Sequence, residues 1–288
     1  MTISGRADAD ALAAEHASGL RIRLIDDIDE HAAVRALIEQ VWRTGERNPP
    51  VTADMLSAMR AAGGYVSGAF DEHGLAAACL GFFAPPAERR LHSHIAGALP
   101  RTRGSGIGFA LKLHQRAWAL HHGAETITWT FDPLIRRNAY FNLGKLGAGV
   151  GAYLPDLYGT MDDAINRDDI TDRVMARWSL TAPSSVAAAG GHPRLSSIAD
   201  EADAAIGLSA DGDERPVDGR TDAATVLIAV PADMEAMREQ DPRRAADWRL
   251  AIRRTLGALI AEGATVRGFD RAGWYIVDRG PVGRTEIS

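Results

Sequence analysis

Three glycines at alternate positions, Gly104, Gly106 and Gly108, lie in the segment Leu99-Pro100-Arg101-Thr102-Arg103-Gly104-Ser105-Gly106-Ile107-Gly108. A run with strand character precedes it and an amphipathic helical pattern follows. A helix N-terminus offers free N–H groups and the positive end of its dipole, and both attract phosphate. Glycine has no Cβ, so a ligand can come close to the backbone. Arg101 and Arg103 add charge that can fork onto phosphate oxygens. The segment therefore suits a pyrophosphate cradle. An isolated Gly-x-Gly-x-Gly is more often a plain turn; the strand, proline, arginines and helix around this one favour the cradle. It is not a Walker A loop, because no Gly-Lys-Ser/Thr follows.

Upstream, His92 and His94 are two residues apart on a strand, a spacing that puts both on one face. Histidine titrates near neutrality and suits a general base. The ordinary alternative is a polar pair on a half-exposed strand. Metal binding by this pair is not expected, since no further spaced His or Cys accompanies it. A second polar group is Tyr158, Asp162, Asp163, Asn166, Asp168, Asp169 and Asp172. It reads either as a loop that receives a cationic acceptor or as a solvated acidic loop, with Tyr158 a candidate acid. Its spacing does not fit a calcium loop. Asp132, at a strand end before Pro133, is a site candidate or a turn residue. The single cysteine, Cys79, lies in an apolar run and reads as a buried small side chain.

The elements that would position these groups follow from periodicity. Residues 1–19 read as a mobile tail. A strand over 20–25 precedes a helix N-capped at Asp29, whose apolar face is Val34, Leu37, Ile38, Val41 and Trp42. A short helix over 52–62 and a hairpin, 65–70 with 75–83, come next. A strand over 91–99 leads into the glycine turn and a helix over 105–122. A strand at 125–131, a helix at 136–146 closed by Gly147, and a strand at 173–180 complete this block. Residues 182–222 read as a linker. A C-terminal block over 223–288 follows: a strand at 225–230, a helix opened by Asp241-Pro242 with the face Ala245, Trp248, Ile252, Leu256 and Leu259, and a closing hairpin. About 65 residues are few for independent stability, so this extension is expected to pack on the first domain or on a partner subunit. The fold class is α/β (α+β): a mixed, mostly antiparallel sheet flanked by helices, with a small C-terminal α/β extension. A Rossmann order is excluded, because there the glycine turn follows the domain's first strand.

The chain has 288 residues, a formal net charge of −6 and 24% charged residues. That acidity speaks against nucleic-acid binding. No basic start followed by an apolar stretch marks a signal peptide, and no long apolar run marks a membrane span. A cytoplasmic protein without nucleic-acid or membrane partners is expected.

Arg101-x-x-Gly104-x-Gly106, with the element order on either side, resembles the Gln/Arg-x-x-Gly-x-Gly/Ala signature of the GNAT superfamily of acyl-CoA N-acyltransferases, over about residues 20–181. The runs Leu91-His92-Ser93-His94, Thr128-Trp129-Thr130-Phe131-Asp132-Pro133 and Tyr153-Leu154-Pro155-Asp156-Leu157-Tyr158-Gly159, and the Trp248-Arg249 helix, are similar to one poorly characterised bacterial subfamily. The resemblance implies acetyl-CoA or another acyl-CoA as co-substrate, without a metal. It implies an N-acetyltransferase acting by direct attack of an amine, on a small molecule or a peptide, in a ternary complex. CoA contacts are implied at Ala98, Leu99, Arg101, Arg103, Gly104, Ser105, Gly106, Ile107, Gly108 and Asn138. The catalytic candidates are His92, His94, Tyr158 and Asp132. One departure stands out: Leu143 occupies the place, before Lys145-Leu146-Gly147, where the family often carries a tyrosine acid. A thiol with a pKa near 8.5 could leave unassisted. The alternatives are a CoA-binding module without turnover, and an enzyme for a longer acyl chain accommodated by Ala96, Gly97 and Ala98. A homodimer is compatible with the extension's need for a covering surface.

Overall fold

The computed structural model describes residues 2–44, 49–159, 161, 163, 166 and 169–280. In chain order its elements are α1 (Ile3–Ser18), β1 (Arg21–Leu24), α2 (Ile28–Trp42), α3 (Ala53–Ala61), β2 (Tyr65–Asp71), β3 (Gly74–Phe83), β4 (Arg90–Ala98), α4 (Ile107–His121), β5 (Thr126–Phe131), α5 (Arg136–Ala139), β6 (Gly149–Leu154), β7 (Arg173–Ser179), α6 (Pro183–Ala189), β8 (Ala205–Ala210), β9 (Pro216–Asp218), β10 (Thr225–Ala229), α7 (Met234–Gln240), α8 (Pro242–Ile252), α9 (Ala258–Ala261), β11 (Thr265–Asp270) and β12 (Trp274–Asp278). The strands form two sheets, ordered β1-β2-β3-β4-β5-β7-β6 and β11-β12-β10-β8-β9. Pairing is antiparallel from β1 through β4 and parallel between β4 and β5. This is the mixed, mostly antiparallel α/β fold expected from the element order.

By internal contacts the chain divides into two compact units, one of Met1–Trp129, Asp162–Ile165 and Arg177–His192, the other of Thr130–Met161, Asn166–Ala176 and Pro193–Ser288. The division differs from a boundary at residue 181: the C-terminal block shares its unit with residues 130–161. No helix among the described residues is long and apolar enough to cross a membrane.

In the first unit, Leu20, Ile22, Tyr65, Ala69, Ala76, Ala77 and Cys79 pack with Ile107, Ala110 and Leu111 of α4 on one side of the sheet. On the other side, Val34, Leu37 and Ile38 of α2 and Leu56 of α3 pack with Val66, Ala78 and Leu80. Asp27, not Asp29, caps α2; its carboxylate accepts from the amides of Asp29 and Glu30. The expected tail over residues 1–19 is instead helix α1. Its buried positions are Ala7, Ala11 and Ser18, small side chains that a search for large apolar residues at helical spacing passes over. Charge also holds α1 on α4: Arg116 Nη1 donates to Asp10 at 3.3 Å, and His121 meets Asp8 at 2.9 Å. Arg116 is 1% exposed, and its Nε donates to the Leu180 carbonyl.

In the second unit, the expected linker over 182–222 contributes β8 and β9, while its first residues, in the first unit, form α6. Parallel pairing of β8 with β10 brings this segment into the second sheet. Alternating small residues and glycines gave it no strand signal. Arg136 donates to the carbonyls of Val230 (2.7 Å) and Pro231 (2.8 Å), and Gly273 leaves room for its guanidinium, which a Cβ would meet at 2.3 Å. Asp241 caps α8 as expected. The expected helix over 136–146 is α5 followed by a π turn, Tyr140–Lys145.

Removing the Asp10 carboxylate leaves Arg116 buried without its counter-charge. Asp10→Ala is expected to destabilise the first unit by about 2 kcal/mol, read by chemical denaturation. An unchanged midpoint would show that α1 is not anchored through this pair.

Candidate active site

The glycine turn leaves β4 through a 3-10 turn, Pro100–Thr102, and enters α4 at Gly106. Gly104 (φ 84°) and Gly106 (φ 82°) occupy the left-handed region, which side chains disfavour. The turn closes on itself: Thr102 Oγ1 donates to the Leu99 carbonyl, Ser105 Oγ to the Thr102 carbonyl, and the Ile107 amide to Ser105 Oγ. The amides of Thr102, Arg103 and Ser105 are also paired within it. Among the described residues nothing accepts from the amides of Gly104, Gly106 or Gly108. A Cβ at Gly104 or Gly106 would meet nothing within 4 Å. Three amides at the start of α4 thus stay available to an anion. The donors expected at Arg103, Ser105 and Ile107 are already used internally. Arg101 is likewise committed: it donates to both Asp71 oxygens and to the Leu75 carbonyl, which ties the turn to the β2–β3 hairpin rather than to a phosphate. Arg103 is exposed and is the cation left for that task.

The strand before the turn has an open edge. β4 and β5 pair in parallel at Arg90–Thr126, Leu91–Ile127 and His92–Thr128. Among the described residues this ladder goes no further, although β4 runs on to Ala98. Opposite β3, the register shifts between Gly81–Ser93 and Leu80–Ile95, so His94 is an extra residue in β4. Such a bulge sharpens the local twist and bends the strand. The two strands therefore fork just past His92, and the edge of residues 93–98 leads back to the glycine turn. Gly97 is small because Trp42 packs on it; a Cβ there would lie 2.6 Å from the indole. The small residue at Gly97 thus has a packing reason.

The structure keeps His92 and His94 together despite the bulge. Their rings are 6.0 Å apart, and each lies beside Phe82, at 5.3 and 5.7 Å. His94 is exposed and His92 half-buried. Loss of water lowers both imidazoles; His92 falls to about 4, with further lowering by His94, Arg90 and Lys112. Both are neutral at pH 7. Thr128 Oγ1 accepts from Arg90 at 3.2 Å and lies 3.4 Å from His92 Nδ1. Arginine can only donate, so the threonine hydrogen is free for His92 Nδ1. In that tautomer the Nδ1 lone pair of His92 is occupied, whereas the His94 ring is exposed.

Asp132 and most of the other site candidates belong to the second unit. Asp132 is 7% exposed and accepts from Arg249 at 2.9 and 2.7 Å and from Arg238. Asp169 accepts from the same two arginines, each at 2.9 Å. Burial alone would raise the Asp132 carboxyl, but the Arg249 charge and hydrogen bonds, with Arg238 and Arg173, hold it well below the usual range. Asp132 is therefore an ion-pair hub and not an acid or base. Described residues of the acidic run are committed as well. Asn166 accepts from Arg173 at 2.8 Å, and Asp172 accepts from Arg253 and from Tyr153 at 2.6 Å. Asp163 is buried; Asp162 and Asp168 lie outside the described residues. Tyr158 is exposed, 2.9 Å from Thr130 Oγ1, with the Arg173 guanidinium 5.6 Å from its ring. Asn138 is half-buried in α5, and Leu143 is buried in the π turn. No group of three or more His, Cys, Asp or Glu among the described residues could hold a metal.

Residue periodicity did not single out Arg238, Arg249 or Lys112. Arg249 carried a signal, since it falls inside the buried α8 stripe of Ala245, Trp248 and Ile252. Lys112 carried none: α4 is buried around most of its circumference.

No protein-family model and no curated protein matches the chain. Solved structures similar to it include an N-acetyltransferase from Staphylococcus aureus Mu50, 14% identical, covering 56% of this chain and 99% of that one at a TM-score of 0.47. Another is a GNAT superfamily phosphinothricin acetyltransferase from Sinorhizobium meliloti in complex with acetyl-CoA, 17% identical, covering 55% and 87% at 0.44. A third is the ribosomal-protein-S18-alanine N-acetyltransferase from Escherichia coli, 12% identical, covering 57% and 95% at 0.45.

Asp132→Asn removes charge opposite two buried arginines and is expected to destabilise the second unit by about 3 kcal/mol. The folded-state pKa of Asp132 is depressed, so its contribution is complete above the unfolded value of about 3.9 and is lost as pH falls below it. The stability gap between wild type and variant should be constant from pH 5 to 8 and shrink below about pH 4. A gap that persisted there would contradict the hub role.

Proposed function

We propose that this chain is an acyl-CoA-dependent acyltransferase of the GNAT type. It transfers an acyl group, most simply acetyl, to an amine on a small molecule or peptide. The observation that carries this reading is the fork between β4 and β5, whose open edge ends at three unpaired amides on a helix N-terminus. An anionic pyrophosphate fits those amides by charge and geometry. An extended arm bearing amide groups, such as pantetheine, fits an unpaired strand edge. Together they place a thioester toward the fork, beside the β4 bulge. A backbone N–H there would polarise its carbonyl.

The acceptor must attack as a neutral amine, whereas an alkyl ammonium of the lysine kind titrates near 10.4. A base that is unprotonated at pH 7 serves this need, and His94 meets that condition with water access. His92, hydrogen-bonded to Thr128, orients the site. Asp132 is assigned no chemistry. A CoA-binding module without turnover would share the cradle but not require His94.

CoA is expected to protect the protein against thermal unfolding. At about a hundredfold excess over Kd the stabilisation is about 2.7 kcal/mol, or a Tm rise of roughly 5 °C. Gly104→Glu sets a carboxylate against the phosphate site and should remove that shift. No shift in the wild type at millimolar CoA would overturn the reading. In an amine-acceptor screen, His94→Ala should lower kcat about 10- to 100-fold and His92→Ala less. Equal activity in His94→Ala would point to the module without turnover.

A further inference from the structure

Beneath the fork lies a group that the preceding reading leaves unused. Lys112, on α4, is 5% exposed. Its Nζ donates to Ser93 Oγ at 2.8 Å and to Gln115 Oε1 at 3.2 Å, and it stands 4.0 Å from the centre of the Trp129 ring. His92–Thr128 is the last pair of the β4–β5 ladder. Ser93 and Trp129 are the next residue on each strand, and both touch the ammonium. The charge sits where the two strands part.

Among the described residues Lys112 forms no ion pair. Its neighbours are neutral: the Ser93 hydroxyl, the Gln115 amide, the Trp129 ring and the Cys79 thiol, which lies 3.8 Å from Ser93 Oγ and is pushed up by burial. His92 also lies near, neutral at pH 7 and lowered in part by Lys112 itself. Burial brings Lys112 to about 8, so it remains mainly charged at pH 7. A buried charge without a partner is costly, and the contrast with the carboxylate-matched arginines of the second unit is plain.

We infer that the Lys112 ammonium is the fixed positive charge that stabilises the thiolate released at the fork. The inference rests on the acyl-CoA reading above. With the pyrophosphate at residues 104–108, an arm extended along β4 from Ala98 to Ser93 covers roughly 16 Å and ends over Ser93 and Lys112. In the transfer, the acceptor nitrogen bonds to the carbonyl carbon, the C–S bond breaks and its electron pair stays on sulfur. The surplus proton on nitrogen passes to His94. The sulfur needs no proton at that moment, because a cation held close below it lowers the energy of the anion. This supplies what the apolar Leu143 cannot.

The test is the titration of the CoA thiol, read by ultraviolet absorbance of the thiolate, with CoA free, bound to the wild type and bound to Lys112→Met. A cation a few ångströms away lowers a thiol pKa by about one unit or more. The expected result is a bound thiol at least about one unit below free CoA, returning to the free value or above it in Lys112→Met. A bound thiol that titrates as free CoA does, or a lowering that survives the substitution, overturns the role of Lys112 while leaving CoA binding in place. Failure of the wild type to bind CoA overturns the underlying reading as well. Should Lys112→Met not fold, the comparison of wild-type-bound with free CoA decides: a lowered thiol supports the inference and an unlowered one overturns it.

Discussion

The parting of β4 and β5 is the constraint on which the candidate site depends. A parallel ladder that continued to Ala98 would consume the backbone donors and acceptors of residues 93–98 and leave no edge for a ligand. The ladder stops after three pairs, and the extra residue His94 turns the strand away. Packing sustains the separation. Trp42 seats on Gly97 from one side, and α4 supplies Lys112 under the point of divergence. An unpaired strand edge inside a sheet is tolerable only where water or a ligand completes its hydrogen bonds.

Buried charge is handled in two ways. In the second unit, Asp132 and Asp169 each accept from both Arg238 and Arg249, so the charges largely cancel in place. Removal of one partner there is a matter of stability. In the first, Arg116 likewise meets Asp10, whereas the partners of Lys112 among the described residues are the Ser93 hydroxyl, the Gln115 amide and the Trp129 ring. Under the proposal, that ammonium keeps positive charge at the fork, next to the site where the chemistry would generate an anion.

The large elements were legible because their residues obey simple rules. The hairpin of β2 and β3, the strand β4, the helix α4 with Ile107 and Leu111 inward, and the Asp241 cap of α8 all follow from periodicity and capping chemistry. Helix α1 was not, because alanines bury little surface and mark no face. Strand β6 and the strands in the expected linker were missed for a related reason: glycine and alanine alternate there without the branched residues that signal a strand.

The site was legible in part. The sequence by itself determined the glycine turn: its spacing, the strand before it and the helix after it are all present. It also placed His92 and His94 near one another. Tertiary structure alone decided what the charged residues do. Asp132, Asp169 and Arg101 look like free functional groups in one dimension, yet their ion-pair partners lie 30 to 117 positions away in the chain. The role of Lys112 depends on two strands that meet and then separate above it. Pair energies fall steeply with distance and rise with burial, and neither quantity can be read from the order of residues.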